Sequence, residues 1–329
     1  MTAGPPRSGA PRHAEDSPVT RESMAQWTAE IHNVISALFE RLDGTRMVEA
    51  AWERDGGGGG QSRLISEGQV FEKAGVNRAL VEGILPPEAA KRLGGNMPTG
   101  STPHFFATGV SVVAHPRSPM IPTVHLNVRY FELCDADGNR HDAWFGGGTD
   151  LTPTYPFIDD ARHFHWALRR VCDAHNPAIY PAYKTWCDEY FRNTHRDNEA
   201  RGVGGVFFDH VRGDDAPFGL TPSALHRFVD AIGRVLDAAY APIVERRRDL
   251  PYSSREKSLQ LYRRSRYVEF NLLHDRGTIF GLQTGARTDS VLMSMPPVAA
   301  WPAQRMVEPD SIEAHLDAML MPQDWAVGG

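Results

Sequence analysis

The run TVHLNVRYFEL sets His125, Asn127 and Arg129 at alternate positions, with Val124, Leu126, Val128 and Tyr130 completing the pattern. Side chains alternate faces along a β-strand, so the three polar groups share one face, spaced about 6.6 Å apart, and the other face is purely apolar. A solvated strand face is commonly furnished with Lys, Glu, Thr or Ser. Imidazole, carboxamide and guanidinium together suit carboxylate binding and proton transfer, and from spacing alone that reading stands level with a simply solvated face. The preceding run, FFATGVSVVAHP, carries Ser111 and His115 on one face and Val110, Val112 and Ala114 on the other. If the two runs pair as strands, Ser111, His115, His125, Asn127 and Arg129 form one polar wall.

Two further histidines, His165 and His195, fall in helical patterns. A lone helical histidine is more often a core residue than a ligand. Convergence of His115, His125, His165 and His195 would suit a divalent metal, but no short ligand spacing connects them. His163-Phe164-His165 does not form a pair, because i and i+2 diverge on a helix. His315-Leu316-Asp317 imitates the start of a facial triad for non-haem iron but also sits in a helical pattern. Arg246-Arg247-Arg248 reads as the solvated end of a helix, favoured there by the helix dipole. A second basic group runs from Arg255 to Arg266 without a nucleic-acid-binding motif. In His274-Asp275-Arg276-Gly277, Asp275 and Arg276 are either an ordinary turn pair or a carboxylate and a guanidinium at the mouth of a cleft.

The elements expected to position these groups begin with a helix from Glu22, striped by Trp27, Ile31, Val34, Leu38 and Leu42. Residues 63–85 read as strand and loop, and Asp137-Gly138 turns the chain into a strand through Trp144 and Phe145. Three helices follow, over 159–174, over 181–199 and from Thr221-Pro222, a cap with proline at the first helical position, onward to Ile243. RYVEFNLL and TIFGLQT then predict a hairpin turning at 274–277, and VLMSMPP a last strand ended by Pro296-Pro297. The expected class is α+β: a large, mostly antiparallel sheet flanked by helices in a single domain over 21–329.

The 329 residues are 41% hydrophobic, enough to bury a full core, with a net charge of -6. That charge disfavours nucleic acid and anionic membrane as partners, although clustered arginines can still bind a small acidic molecule. No apolar run reaches about 18 residues, the length of a transmembrane helix. Residues 1–20, interrupted by Pro5, Pro6, Pro11 and Pro18, read as a disordered tail without the apolar core of a secretory signal. Cys134, Cys172 and Cys187 are too scattered for a disulfide framework, which suits a reducing cytoplasm, and they form no iron–sulfur or c-type haem motif. The glycines at 56–60 lack the following Lys and Ser/Thr of a phosphate loop and read as a flexible turn.

In chain order, GVSVVAHPRSP, PTVHLNVRYFE, WFGGGTDLTP, YKTWCDEYF, HRDNEARGVGGVFFDH, PIVERR and QLYRRSRYVEFNLLHDRGTIFGLQTGARTDSVLMSMPP resemble oxygen-dependent coproporphyrinogen III oxidases, over roughly residues 22–301. The resemblance implies aerobic oxidative decarboxylation of the ring A and B propionates of coproporphyrinogen III, giving protoporphyrinogen IX in haem synthesis. It implies molecular oxygen as co-substrate, no organic cofactor, and a homodimer formed over about 267–297. Carried over by position, Ser111, Asn127, Val128, Arg129, Gly285, Ala286 and Arg287 contact substrate, His125 donates a proton, and Asp275 and Arg276 act in catalysis. His115, His125, His165 and His195 match histidines proposed as metal ligands, leaving a divalent metal an open expectation. Ser265 and His274 depart from the family pattern, where glycine and an aromatic are common. A non-catalytic tetrapyrrole carrier and a metal-dependent dioxygenase of another substrate are the rival readings.

Overall fold

The computed structural model describes residues 18–86, 90, 95–98, 100–213, 218–283, 287–303 and 307–326. Residues 1–17, most of the expected tail, lie outside them. Helix α1 (Arg21–Asp43) opens on a reciprocal cap between Thr20 and Ser23 and closes on Gly44, whose φ of 83° is the left-handed conformation glycine adopts freely. Its core stripe is Trp27, Ile31, Ile35, Leu38 and Leu42. Ile35 takes the place expected for Val34, which is 40% exposed.

Strands β1 (Val48–Glu53), β2 (Gly58–Ser66), β3 (Phe71–Ile84), β4 (His104–Pro116), β5 (Thr123–Cys134), β6 (Arg140–Thr152) and β9 (Gly204–Val211) form one antiparallel sheet in chain order. Two-residue strands β7 (Arg192–Asn193) and β8 (Glu199–Ala200) make a separate ribbon. The glycine run is only partly a turn, since Gly58 to Gly60 pair with β1 and β3.

One sheet face carries Val110, Val112, Ala114, Val124, Leu126, Val128 and Tyr130, all buried in the main core. Helices α1, α2 (Ile158–Asp173), α4 (Pro222–Gly233), α5 (Leu236–Ala239) and α6 (Ala241–Arg247) contribute to that core. Helix α3 (Ile179–Tyr190) rounds the β9 edge. Its Tyr183 stacks on Phe208 on the core side, ring centroids 5.1 Å apart, and its Tyr190 stacks on Phe207 on the other side at 4.1 Å.

Several sequence expectations are corrected. The helix expected over 181–199 ends at Tyr190, so His195 lies in the turn between β7 and β8. The long helix from Thr221 breaks into α4, α5 and α6; Pro242 at the start of α6 cannot continue a preceding helix. Arg246 and Arg248 are exposed at the end of α6, as expected, but Arg247 is half-buried and the end is anchored. Arg246 and Arg247 both bind the buried Asp160, and the Arg247 guanidinium lies 3.6 Å from the Phe157 ring centroid.

The largest correction is the expected hairpin, which is helical. Helix α7 (Ser254–Leu273) starts on a capping box between Ser253 and Glu256, and α8 (Arg276–Gln283) follows after a corner at 274–275. The last expected strand is instead a short helix, α9 (Thr288–Val291), and a 3-10 turn at Leu292–Ser294. Helix α7 hides its periodicity because charged groups are buried on it in pairs: Arg263 with Glu199, and Arg264 with Glu72 at 2.6 Å. A helix buried on most sides shows no clear polar stripe, and Tyr267, Val268 and Phe270 mimic strand composition. The remaining helix, α10 (Ile312–Met319), agrees with the helical reading of His315 to Asp317.

Candidate active site

On the face opposite the main core, the register sets side chains in rows across the strands. One row runs Gly75, Val113, His125, Asp150, Gly205; the next runs Asn77, Ser111, Asn127, Gly148, Phe207. A third runs Ala79, Gly109, Arg129, Gly146. Successive rows are about 6.6 Å apart. Ser111, His115, His125, Asn127 and Arg129 therefore do share one wall. Val128, expected to contact substrate, turns its side chain into the core at 0% exposure, so any contact is through its backbone.

Gly109, Gly146 and Gly148 add no side chains of their own to the middle of this face, and the Arg129 and Asp209 side chains lie over Gly146. A β-carbon on Gly146 would lie 2.8 Å from Arg129 Nε and 2.7 Å from Asp209 Oδ1. Glycine in a strand interior weakens the strand and marks a place where something approaches the backbone closely. The signal was available in the sequence as three consecutive glycines in WFGGGTDLTP, which gave no expectation beyond the resemblance.

Around this floor the polar groups are held by named partners. Arg129 pairs with Asp209 at 2.7 Å, and Asp209 is aimed by an extra residue in β9, where His210 has a φ of 53°. Burial alone would raise the Asp209 pKa, but the His210 bond and the Arg129 charge hold it well below the ordinary value. Two residues that sequence reasoning did not single out form the deepest charge pair: Asp150 accepts two bonds of 2.7 Å from Arg201, at 1% and 2% side-chain exposure. His125 Nδ1 lies 2.9 Å from Asp150 Oδ1, and Phe191 meets the imidazole edge-on at 6.0 Å.

Asp275 stands in the corner between α7 and α8 and not in a hairpin turn. Its Oδ2 accepts from Thr278 N–H at 2.8 Å, capping α8, and its Oδ1 accepts from the Tyr190 hydroxyl at 3.0 Å. The same hydroxyl accepts from Arg276 N–H, and the Arg276 guanidinium lies 5.5 Å from the Tyr190 ring centroid. Burial and the Asp275 charge push the Tyr190 phenol well up, so it stays a donor. Because Tyr190 stacks on Phe207, the Asp275–Arg276 corner stands at the Phe207 end of the row of Asn127 and Gly148. Arg287 is exposed at the start of α9, with Asp289 3.6 Å away. Gly285 and Ala286 lie outside the described residues.

The residues proposed for a metal do not fit one. Among the described residues no group of three or more His, Cys, Asp or Glu side chains is placed to hold an ion. His165 is fully buried and has both ring nitrogens engaged, by the Tyr180 hydroxyl at 2.9 Å and the Val203 carbonyl at 3.0 Å. His115 donates from Nε2 to the Ser294 carbonyl at 2.8 Å. With Asn77 on Ser290 and Lys73 on Met295, it fixes the 290–295 segment along one side of the floor. His195 lies between His274 and Glu269, 2.8 Å and 3.0 Å away.

A coproporphyrinogen III oxidase family model matches residues 23–325. The chain belongs to that family. Two curated relatives are named oxygen-dependent coproporphyrinogen-III oxidase. They come from Synechococcus sp. (strain CC9605) and Synechococcus sp. (strain CC9902), at 47% and 46% identity. Each comparison covers 93% of this chain and 88% of the relative. The match takes in the whole glycine-floored face, the α7–α8 corner and the Asp150–Arg201 pair. For a family whose name denotes a tetrapyrrole substrate, a glycine-bearing floor with guanidinium, imidazole and carboxylate groups around it is chemically apt.

Proposed function

We propose that the chain converts coproporphyrinogen III to protoporphyrinogen IX in air, turning the ring A and B propionates into vinyl groups with release of CO2. The observation that carries this reading is the glycine-bearing floor that holds Arg129 and His125, with Asp275 at its β9 edge. A broad macrocycle can lie against backbone there while its carboxylates reach arginines at the rim.

The substrate is itself electron-rich, so it supplies the electrons that O2 accepts. Asp275 accepts hydrogen bonds from pyrrole N–H groups and favours loss of a proton from nitrogen. O2 then adds to the activated ring as a hydroperoxide; the β-hydrogen leaves as a proton, the propionate C–C bond cleaves to CO2, and the C–O bond breaks to release hydrogen peroxide and leave a vinyl group. Arg129, Arg287 and Arg276 hold the carboxylates and so select the propionate that reacts, with Ser111 and Asn127 beside them on the floor. His125 moves protons at the other end. No step is routed through a metal.

A homodimer over about 267–297 is the proposed assembly, supported by the exposed Leu272, Leu273 and Leu282 on α7 and α8. The cytoplasm is the proposed setting, in keeping with three free, buried cysteines. The purified chain should convert coproporphyrinogen III to protoporphyrinogen IX in air and stop under argon, as read by porphyrin fluorescence after product oxidation. Tight binding without conversion in air would instead support a tetrapyrrole carrier.

A further inference from the structure

His125 and Asp150 face each other directly across β5 and β6, which brings their side chains within reach on one face. Asp150 is clamped from behind. Arg201 grips it through Nη2 and reaches Asn271 Oδ1 through Nη1 at 2.8 Å. The guanidinium is caged by Phe191, Tyr267 and Phe270, whose ring centroids lie 4.1, 4.5 and 4.8 Å away. Asn271 is tied in turn to Ser294 Oγ at 3.2 Å. Burial by itself would push the Asp150 pKa up, but the Arg201 charge and the His125 bond bring it below the ordinary value. An ionised carboxylate offers only acceptors. The hydrogen between the two residues must therefore sit on His125 Nδ1.

We infer that Asp150, locked by Arg201, is a positioning residue that fixes His125 as the Nδ1–H tautomer and leaves Nε2 as the proton acceptor. The inference rests on the functional reading above, and it deepens that reading by assigning the acceptor atom. It also gives the buried pair a role beyond stability. A proton taken up at Nε2 makes an imidazolium that Asp150 stabilises, and its release from Nε2 restores the neutral Nδ1–H ring.

Nitrogen-15 spectra of histidine-labelled protein read the tautomer directly, in wild type and in Asp150→Asn. The expected result is the Nδ1–H form in wild type. In Asp150→Asn the carboxamide donates to Nδ1, the proton moves to Nε2, and turnover falls on the order of 100-fold or more with KM within a few-fold. A residue that merely supports the fold would shift stability and leave tautomer and kcat alone. If the single variant does not fold, Asp150→Asn with Arg201→Gln removes both buried charges together and carries the same expectations. Wild type in the Nε2–H form, or a folded variant with wild-type tautomer and kcat, would overturn the inference. A wild-type Nδ1–H spectrum from a chain that turns over no coproporphyrinogen would instead sink the functional reading and leave the tautomer standing.

Discussion

Replacing Asp275 by Asn separates the two jobs this side chain holds. Its Oδ2 caps α8 through Thr278 N–H at 2.8 Å, and its Oδ1 accepts from Tyr190 at 3.0 Å. Asn is as good a cap as Asp, and its NH2 can donate to the Tyr190 oxygen where Oδ1 had accepted. Stability should therefore change by less than about 1 kcal/mol. Asp275→Ala loses the cap, about 1 kcal/mol, and the phenol bond, about another 1 kcal/mol, and should unfold at visibly lower urea. In turnover the ranking differs. Asn lacks the charge that favours proton loss from the pyrrole, so kcat should drop about 100-fold or more, while KM stays within a few-fold because the arginine contacts remain. Asp275→Glu should recover little, since an added methylene displaces the carboxylate by about 1 Å or more. Urea titration and aerobic steady-state kinetics on the three variants read both scales. An Asn variant turning over within a few-fold of wild type would reduce Asp275 to a helix cap and move the base to His125.

Arg129→Ala and Arg287→Ala should each weaken substrate binding by about 1.5–3 kcal/mol, seen as a raised KM; unchanged kinetics in both would remove them from the carboxylate clamp. Burial lowers the pKa of His115 and of His165 to about 3 from 6.5. Both rings are neutral when folded and take up protons on unfolding below pH 6.5. Their contribution is full above that pH and is lost as pH falls toward about 3, at about 1.4 kcal/mol per pH unit per histidine in a urea-midpoint series. Stability that is flat between pH 6.5 and 4 would contradict the neutral assignment. The active protein should also show no visible absorption band, and a band tracking activity across preparations would mean that an organic or haem cofactor is at work.

The central strands were legible because β5 alternates apolar and polar side chains from Val124 to Tyr130, and β4 keeps Val110, Val112 and Ala114 on one face opposite Ser111, Val113 and His115. The wall of Ser111, His125, Asn127 and Arg129 followed from that alternation alone. The α7–α8 corner was not legible. Buried arginines on α7 erase the stripe that marks a helix, and the capping box of Ser253 and Glu256 at its start was not used in the sequence reading. Asp150 and Arg201 were missed for a related reason: their pairing spans 51 positions, and no local pattern reports it. His165 shows the reverse case, a ligand-type residue whose two nitrogens are taken up by a hydroxyl and a carbonyl of the core.

The most direct test of the account follows O2 consumed and CO2 released together while the chelator-treated protein acts on coproporphyrinogen III. Each propionate that becomes a vinyl group gives up one CO2 and one electron pair, so the two gases should change in equal amounts, with vinyl product rising in step. Oxygen uptake without CO2, CO2 release under argon, or activity that vanishes with EDTA and returns with a metal ion would contradict it.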